Sequence, residues 1–388
     1  MNNDQIFRDR ARVLDEDLAG RASTAGADAL LAEIVLLDHV PARRRFMPSP
    51  GRALFGLAAA AAAVAVVASG MLSDSTISVA PRPSTSVSAT AEPTARQILL
   101  AAAVATEQAR ADGDYWRTAT VTQSTMIDPT GSYMIERRRS AEEWMAERPD
   151  LQSWRIGQYL GAKPATPQDE AAWRTAGAPT SWRYPKNLAE NRFAVPSKPL
   201  EAAAGERTAE RLHGRWKGMA GDLTGEMMTW NEVRALPGEP DKLQSYLEER
   251  ITRQLTADPD AGMNVQKVTA EVLRQGCVDI ISRLPASPEA RASAYRILAS
   301  LPGIRAEGEV ADPLGRRGQA ISYQVEAEPG LFNKIRFVVD SSTGLPLAQV
   351  STNVGSLANG RQVEIGYSSS YKAIGWTDER PELPAHRD

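Results

Sequence analysis

Cysteine is almost missing from this chain: its 388 residues include one, Cys277. A single thiol excludes an intramolecular disulfide and any thiolate metal cluster, since both need partners. Histidine is nearly as scarce, with only His39, His213 and His386. A Ser-His-Asp triad would have to recruit His213, and no G-x-S-x-G turn presents a serine to it. H-E-x-x-H, C-x-x-C and G-x-x-x-x-G-K-[ST] are also absent, which removes the usual zinc and phosphate-loop ligand sets. There is no basic excess either, with 45 Lys and Arg against 48 Asp and Glu and a formal net charge of -3. A nucleic-acid surface would need positive charge concentrated on one element. These absences predict a non-enzymatic protein with no cofactor, no bound metal and no nucleic-acid partner.

What the chain does possess is one long uncharged stretch, residues 53–72, rich in alanine with Leu54, Phe55, Leu57, Val64, Met71 and Leu72 supplying bulk. At the helical rise, about twenty residues span about 30 Å, the thickness of a bilayer core. A buried soluble helix of that length would show a polar stripe. Arg43, Arg44, Arg45 and Arg52 precede the run, and the next basic residue is Arg82. That asymmetry predicts a single plasma-membrane span with its N-terminus in the cytoplasm. The competing reading is a cleaved export signal, with Val67-Ala68-Ser69 as the cleavage region. Such a signal has a short basic start and an apolar core of roughly 7–15 residues, unlike the long segment before this run.

The chain therefore divides into a cytoplasmic segment (1–50), a transmembrane helix (53–72), a flexible linker (73–95) and an extracytoplasmic domain (96–388). The first segment reads as two short helices, 4–18 and 28–38, with too few large side chains for a core of its own. Its LLAEIVLLDHV stretch is either a partner surface or a helix lying along the inner face of the membrane. The linker is built of Ser, Thr, Ala and Pro without an aromatic residue, the composition of an extended spacer.

In the outer domain Thr94 caps a helix to about residue 110, and YWRTATVTQSTMI (115–127) then switches to the β-branched alternation of a strand. Asp128-Pro129-Thr130-Gly131 turns it into a hairpin that reaches residue 140. SAEEWMAE and SWRIGQYLG suggest further strands, followed by an irregular insertion over 163–198. Helices are expected at 241–255, 265–284 and 287–301. Strands return in RAEGEVAD, QAISYQVEAE, NKIRFVVDSSTGLPLAQVSTN and RQVEIGYSSSYKAIGW, with turns at Pro329-Gly330, Thr343-Gly344 and Asn359-Gly360. Strands, then helices, then strands predict an α+β fold, a curved antiparallel sheet covered on one face by the middle helices.

Trp116, Trp144, Trp154, Trp173, Trp182, Trp216 and Trp230 all fall in the first half of this domain. Large aromatics either pack cores or line a groove for an acyl chain, a peptide or a sugar; the candidate groove residues are Trp116, Trp144, Trp154, Trp173 and Trp182. Glu142 and Glu143 are adjacent carboxylates that strand alternation sends to opposite faces, where solvent exposure is expected. Asp258-Pro259-Asp260-Ala261-Gly262 opens like a calcium loop, but Thr269 stands where the bidentate Glu is needed, so an inter-helix turn is expected. Cys277, within AEVLRQGCVDIISRL, reads as an inert buried thiol.

The whole layout, with its YWRTAT hairpin, SAYRILASLPGIRAEGEVADPLGRRGQAISY and FVVDSSTGLPLAQV, resembles an uncharacterised family of single-pass membrane proteins from actinobacteria, the high-GC Gram-positive bacteria. Members of that family are often encoded beside extracytoplasmic-function sigma factors. The resemblance implies a sensory or regulatory envelope module whose N-terminal segment contacts a cytoplasmic sigma factor. The histidine and paired cysteines of zinc-binding anti-sigma proteins are absent here. The FVVDSSTGLPLAQV turn is also similar to the half-barrel sheets of the LolA and RseB type, which implies an alternative, a lipid or lipoprotein binding or carrier domain of the envelope.

Overall fold

The computed structural model describes residues 92–185, 196, 198–256, 265–328 and 331–385. The expected cytoplasmic segment, membrane span and most of the linker lie outside the described residues, as do the Pro329-Gly330 turn, the 258–262 loop, His39 and His386. Among the described residues no helix is long and apolar enough to cross a membrane.

The domain opens with a capping box. Thr94 Oγ1 accepts from Gln97 N at 3.3 Å, and Gln97 Oε1 accepts from Thr94 N at 2.8 Å, which starts helix α1 (Ala95–Thr106). Strands β1 (Tyr115–Ile127) and β2 (Met134–Ala146) follow as a hairpin. Its turn is closed by Asp128, which accepts from Ser132 N at 2.6 Å and Tyr133 N at 2.9 Å. SAEEWMAE continues β2 without a break instead of forming a strand of its own. After β3 (Trp154–Pro164), the insertion contains helix α2 (Pro167–Thr175) and a short pairing of β4 (Ser181–Trp182) with β5 (Leu200–Glu201).

The chain then returns to the sheet as β6 (Arg207–Arg211) beside β3, and makes a separate hairpin of β7 (Met219–Leu223) and β8 (Glu226–Thr229). Helix α3 (Trp230–Arg234) leads into α4 (Pro240–Thr256), α5 (Val265–Ser282) and α6 (Pro288–Ser300). The last third is a meander of β9 (Arg305–Ala311), β10 (Arg317–Glu328), β11 (Leu331–Asp340), β12 (Leu345–Ser356) and β13 (Gln362–Thr377).

The nine strands of the main sheet run in the order β6-β3-β2-β1-β13-β12-β11-β10-β9, every pair antiparallel. The fold is α+β, with a large curved antiparallel sheet and helices. Two meanders, one from each end of the domain, are stitched at the centre where β1 pairs with β13. The main core lies on one face of this sheet. Trp116, Met145, Ile321, Phe337 and Val339 of the strands meet Ile98, Leu247, Ile281, Tyr295 and Leu298 of the helices, all buried. Burial of side chains this size contributes roughly 1.5–3 kcal/mol each, which is what holds the helical layer to the sheet.

Two local devices fix the edges. At the β11–β12 turn, Gly344 has φ +70°, and a Cβ there would stand 2.1 Å from Thr106 Oγ1 and 2.6 Å from Ala102 O. Its carbonyl accepts from Tyr295 Oη at 2.9 Å and Thr106 Oγ1 at 3.3 Å, so α1 and α6 dock on one glycine. At the β9 edge, Glu307 is paired with Lys334 Nζ at 2.5 Å and Arg336 Nε at 2.5 Å. Burial raises the Glu307 carboxyl, but its bonds to Lys334, Ser322 and Arg336 outweigh that and bring it down to about 2.

Gly344→Ala is expected to cost on the order of 2–3 kcal/mol, because both the left-handed backbone and the docked helix oppose a Cβ. Gly360→Ala, at φ +82° with open space around it, is expected to cost only about 1 kcal/mol from backbone strain alone. Equal losses in thermal denaturation would refute the docking role of Gly344. For Glu307, the folded value lies below the ordinary 4.5, so its stabilisation is complete above pH 4.5 and disappears as pH falls towards about 2. Glu307→Gln should melt below the parent at pH 7, by an amount equivalent to roughly 1–3 kcal/mol, and the two curves should converge near pH 2. A gap that persists in acid would show that the carboxylate's charge is not the cause.

Candidate functional site

The five tryptophans singled out by sequence do not converge on one groove; they occupy three clusters on both faces of the sheet. Trp116 is 1 % exposed in the helix-side core, where its indole N–H donates to Arg283 O at 3.0 Å. Trp376, directly opposite it on β13, meets it edge-on at 5.7 Å and lies 5.8 Å from Trp230. Trp144 pairs with Arg117 in the ladder and so points to the other face, where Tyr115 meets it edge-on at 5.9 Å and the Arg117 guanidinium lies 4.5 Å over its ring. Trp154, across from Trp144 on β3, joins that cluster. Trp173 and Trp182 belong to the insertion, with Trp182 donating to Tyr133 Oη at 2.8 Å and Trp173 to Pro179 O at 2.8 Å. Trp376 escaped the sequence reading because it lies at the far end of the chain, and only the β1–β13 register brings it to Trp116.

The buried ionisable groups have structural partners. Asp279 on α5 accepts from Thr224 N at 3.1 Å and Gln275 Nε2 at 2.9 Å, with Arg283 Nη1 at 3.6 Å. Burial pushes its carboxyl up against the opposing pull of Arg283 and these bonds. Thr224 holds φ +52°, so Asp279 pins a strained β7–β8 turn to the helix. Arg291, 3 % exposed, donates Nε and Nη2 to Ile281 O at 3.2 and 3.0 Å and lies 5.4 Å over Trp116. It places a cation at the carbonyl end of α5, where the helix dipole favours one, although burial lowers its pKa. Cys277 is fully buried and its thiol is pushed up by burial, as an inert packing thiol would be.

Glu142 and Glu143 do point to opposite faces, but each is ion-paired instead of simply solvated. Glu142 bridges Arg117 at 3.0 Å and Arg207 at 3.1 Å, while Glu143 holds Arg155 at 2.7 Å. His213 is exposed, with Nδ1 2.8 Å from Arg211 O. Among the described residues no group of His, Cys, Asp and Glu is placed to hold a metal ion.

One region of the helix-side face is unusual. Beyond Trp116, the positions of β1 that share its face are Thr118, Thr120, Thr122 and Ser124, before Met126 returns to apolar packing. The registers set Arg139 and Arg137 of β2 on one side of Thr122 and Ser124, and Ser369 and Tyr367 of β13 on the other. Gln349 and Ser351 of β12 extend the same two rows, with Asn353 next along the strand. This polar floor lies along β1 between the main core and the insertion cluster of Met126, Ile135 and Trp182. Helix α5 spans the sheet beside it, from the Glu326 amide, held by Glu271 at 3.3 Å, to the Trp116 indole just past its end.

A sheet face beneath a covering layer is normally apolar, since buried hydroxyls without partners cost free energy. Here Thr118, Thr120, Thr122, Tyr367 and Ser369 all remain partly exposed. The floor can therefore donate and accept hydrogen bonds. The sequence signal was present in TATVTQST, where every second residue is a hydroxyl, but alternation alone does not say which face the helices cover.

Arg291→Met tests the helix-end role of this buried cation. Loss of its bonds to Ile281 is expected to cost roughly 2–3 kcal/mol in thermal denaturation. A variant as stable as the parent would contradict the helix-capping role. No protein-family model, curated protein or solved structure matches this chain.

Proposed function

We propose that this protein is a non-enzymatic, single-pass envelope protein whose outer domain senses a ligand and whose inner segment, residues 1–50, regulates a cytoplasmic sigma factor. Support for the sensing half comes from the partly exposed row of hydroxyls and amides along β1, β13 and β12, whose groups can hydrogen-bond a ligand. Support for the topology comes from the four arginines before residues 53–72 and their absence immediately after. The carrier alternative is less well supported. An acyl chain needs an apolar lining, whereas the apolar part of the helix-side face is filled by Trp116, Phe337 and Tyr295, each at most 1 % exposed.

Expression of the full chain in its own host provides the test. Protease added outside intact cells is expected to remove the domain after residue 92 and spare an N-terminal tag. Immunoprecipitation through that tag is expected to recover a sigma factor, and deletion of residues 1–40 is expected to abolish recovery and change transcription several-fold. A tag cleaved from outside would overturn the orientation. Recovery of no sigma factor, with transcription unaltered, would overturn the regulatory role.

A further inference from the structure

The segment after β13 lies on the sheet face opposite the helical layer. Tyr115, Trp144, Ile156 and Ala209 form an apolar cluster there, flanked by the partly exposed Trp154, and Leu383 packs against it. Charge fixes how the segment approaches. Asp378 accepts from Arg110 Nη2 at 2.7 Å and from Asp114 N at 3.2 Å, and Glu379 meets Arg117 Nη1 at 3.4 Å. Arg117 in turn stands 4.5 Å over the Trp144 ring. Residues 378–385 form no helix or strand. Pro381 and Pro384 keep them extended, since each proline fixes its own φ and disfavours the helical region for the residue before it. An extended, proline-bearing chain on a surface of tryptophan and tyrosine is a recurring mode of peptide recognition.

The hold is weak, and its loss strands no charge. The Asp378 and Glu379 side chains are 61 % and 73 % exposed, where ion pairs contribute little, and Leu383 is only partly buried. Without the segment Arg117 keeps Glu142 at 3.0 Å and Arg110 keeps Asp112 at 3.8 Å. The fit is also incomplete. Trp144 Nε1 and Arg117 Nε are buried with no hydrogen-bond partner among the described residues, and an orphaned buried donor favours any occupant that brings an acceptor.

We propose that the Tyr115, Trp144 and Trp154 surface is a docking site for an extended, acidic, proline-containing peptide of another protein, and that residues 378–385 are an internal mimic of that peptide which the partner displaces. This goes beyond the sensory reading and does not depend on the inner segment.

The full chain in lipid nanodiscs would be titrated with a dye-labelled peptide of residues 377–385, TDERPELPA, read by fluorescence anisotropy. Leu383→Ser with Glu379→Gln in the chain, which loosens the internal copy, is expected to tighten binding tenfold or more over the parent while the melt stays within a few degrees of it. A peptide carrying the same two changes is expected to bind the loosened chain at least tenfold more weakly, and Arg117→Gln in that chain is expected to weaken the unchanged peptide. The parent supplies a second measurement should the loosened chain unfold. Ala385 is exposed and Cys277 fully buried, so Ala385→Cys takes a thiol-reactive dye selectively, and the anisotropy of that dye is expected to fall as unlabelled peptide is added. Three outcomes would overturn the proposal. One is binding by a folded, loosened chain that is no tighter than the parent's. Another is a labelled segment that peptide at about 1 mM does not mobilise. The third is mobilisation that follows protein concentration and accompanies a dimer, which would assign the surface to the segment of a second copy.

Discussion

Everything in this domain depends on the pairing of its first strand with its last. The β1–β13 ladder runs from Tyr115 opposite Thr377 to Ser124 opposite Tyr367, and it alone joins the two meanders into one sheet. Without it each meander would have an open edge and a half-width face, too narrow for the helical layer to seal. With it, Trp116 and Trp376 meet, Trp230 is drawn in from α3, and the carbonyl beyond α5 finds the Trp116 indole. A bulge between Ala119 and Thr120 in that ladder lets the strands keep pairing through the curvature.

The helical layer and the sheet do not share one uniform interface. Above the middle of β1, large side chains interlock at crystal-like density, and buried ions such as Asp279 and Arg291 fasten strained turns and helix ends. Below it, hydroxyls replace them and Thr118, Thr120 and Thr122 stay partly exposed. The division runs along a single strand, so a ligand in the lower half would touch the same β1 whose upper half anchors the core.

Much of the architecture was legible in the sequence because its signals are local. The TATVTQST alternation, the Asp128-Pro129 turn, the Ser287-Pro288 cap and the Thr343-Gly344 and Asn359-Gly360 turns each specify their own geometry. The α+β class followed from their order. Residues 200–236 were not legible, since β6, β7 and β8 are five residues or fewer and owe their pairing to distant partners. The tryptophan reading treated proximity in sequence as proximity in space. Trp116 and Trp144 lie on neighbouring strands yet on opposite faces, and only register can say so. Likewise the polar floor needed the knowledge that Thr118, and not Ala119, faces the helices.

The central pairing also governs how the protein is made. Thr125 and Gly366, which bond to each other across β1 and β13, are 241 residues apart. At ribosomal speeds of roughly 5–20 residues per second, β1 waits for tens of seconds before its second neighbour is synthesised. During that interval one edge of the strand is a template for misassembly. Thr118, Thr120, Thr122 and Ser124 make one face of that waiting strand polar, and a polar face is a poorer template for misassembly than an apolar one.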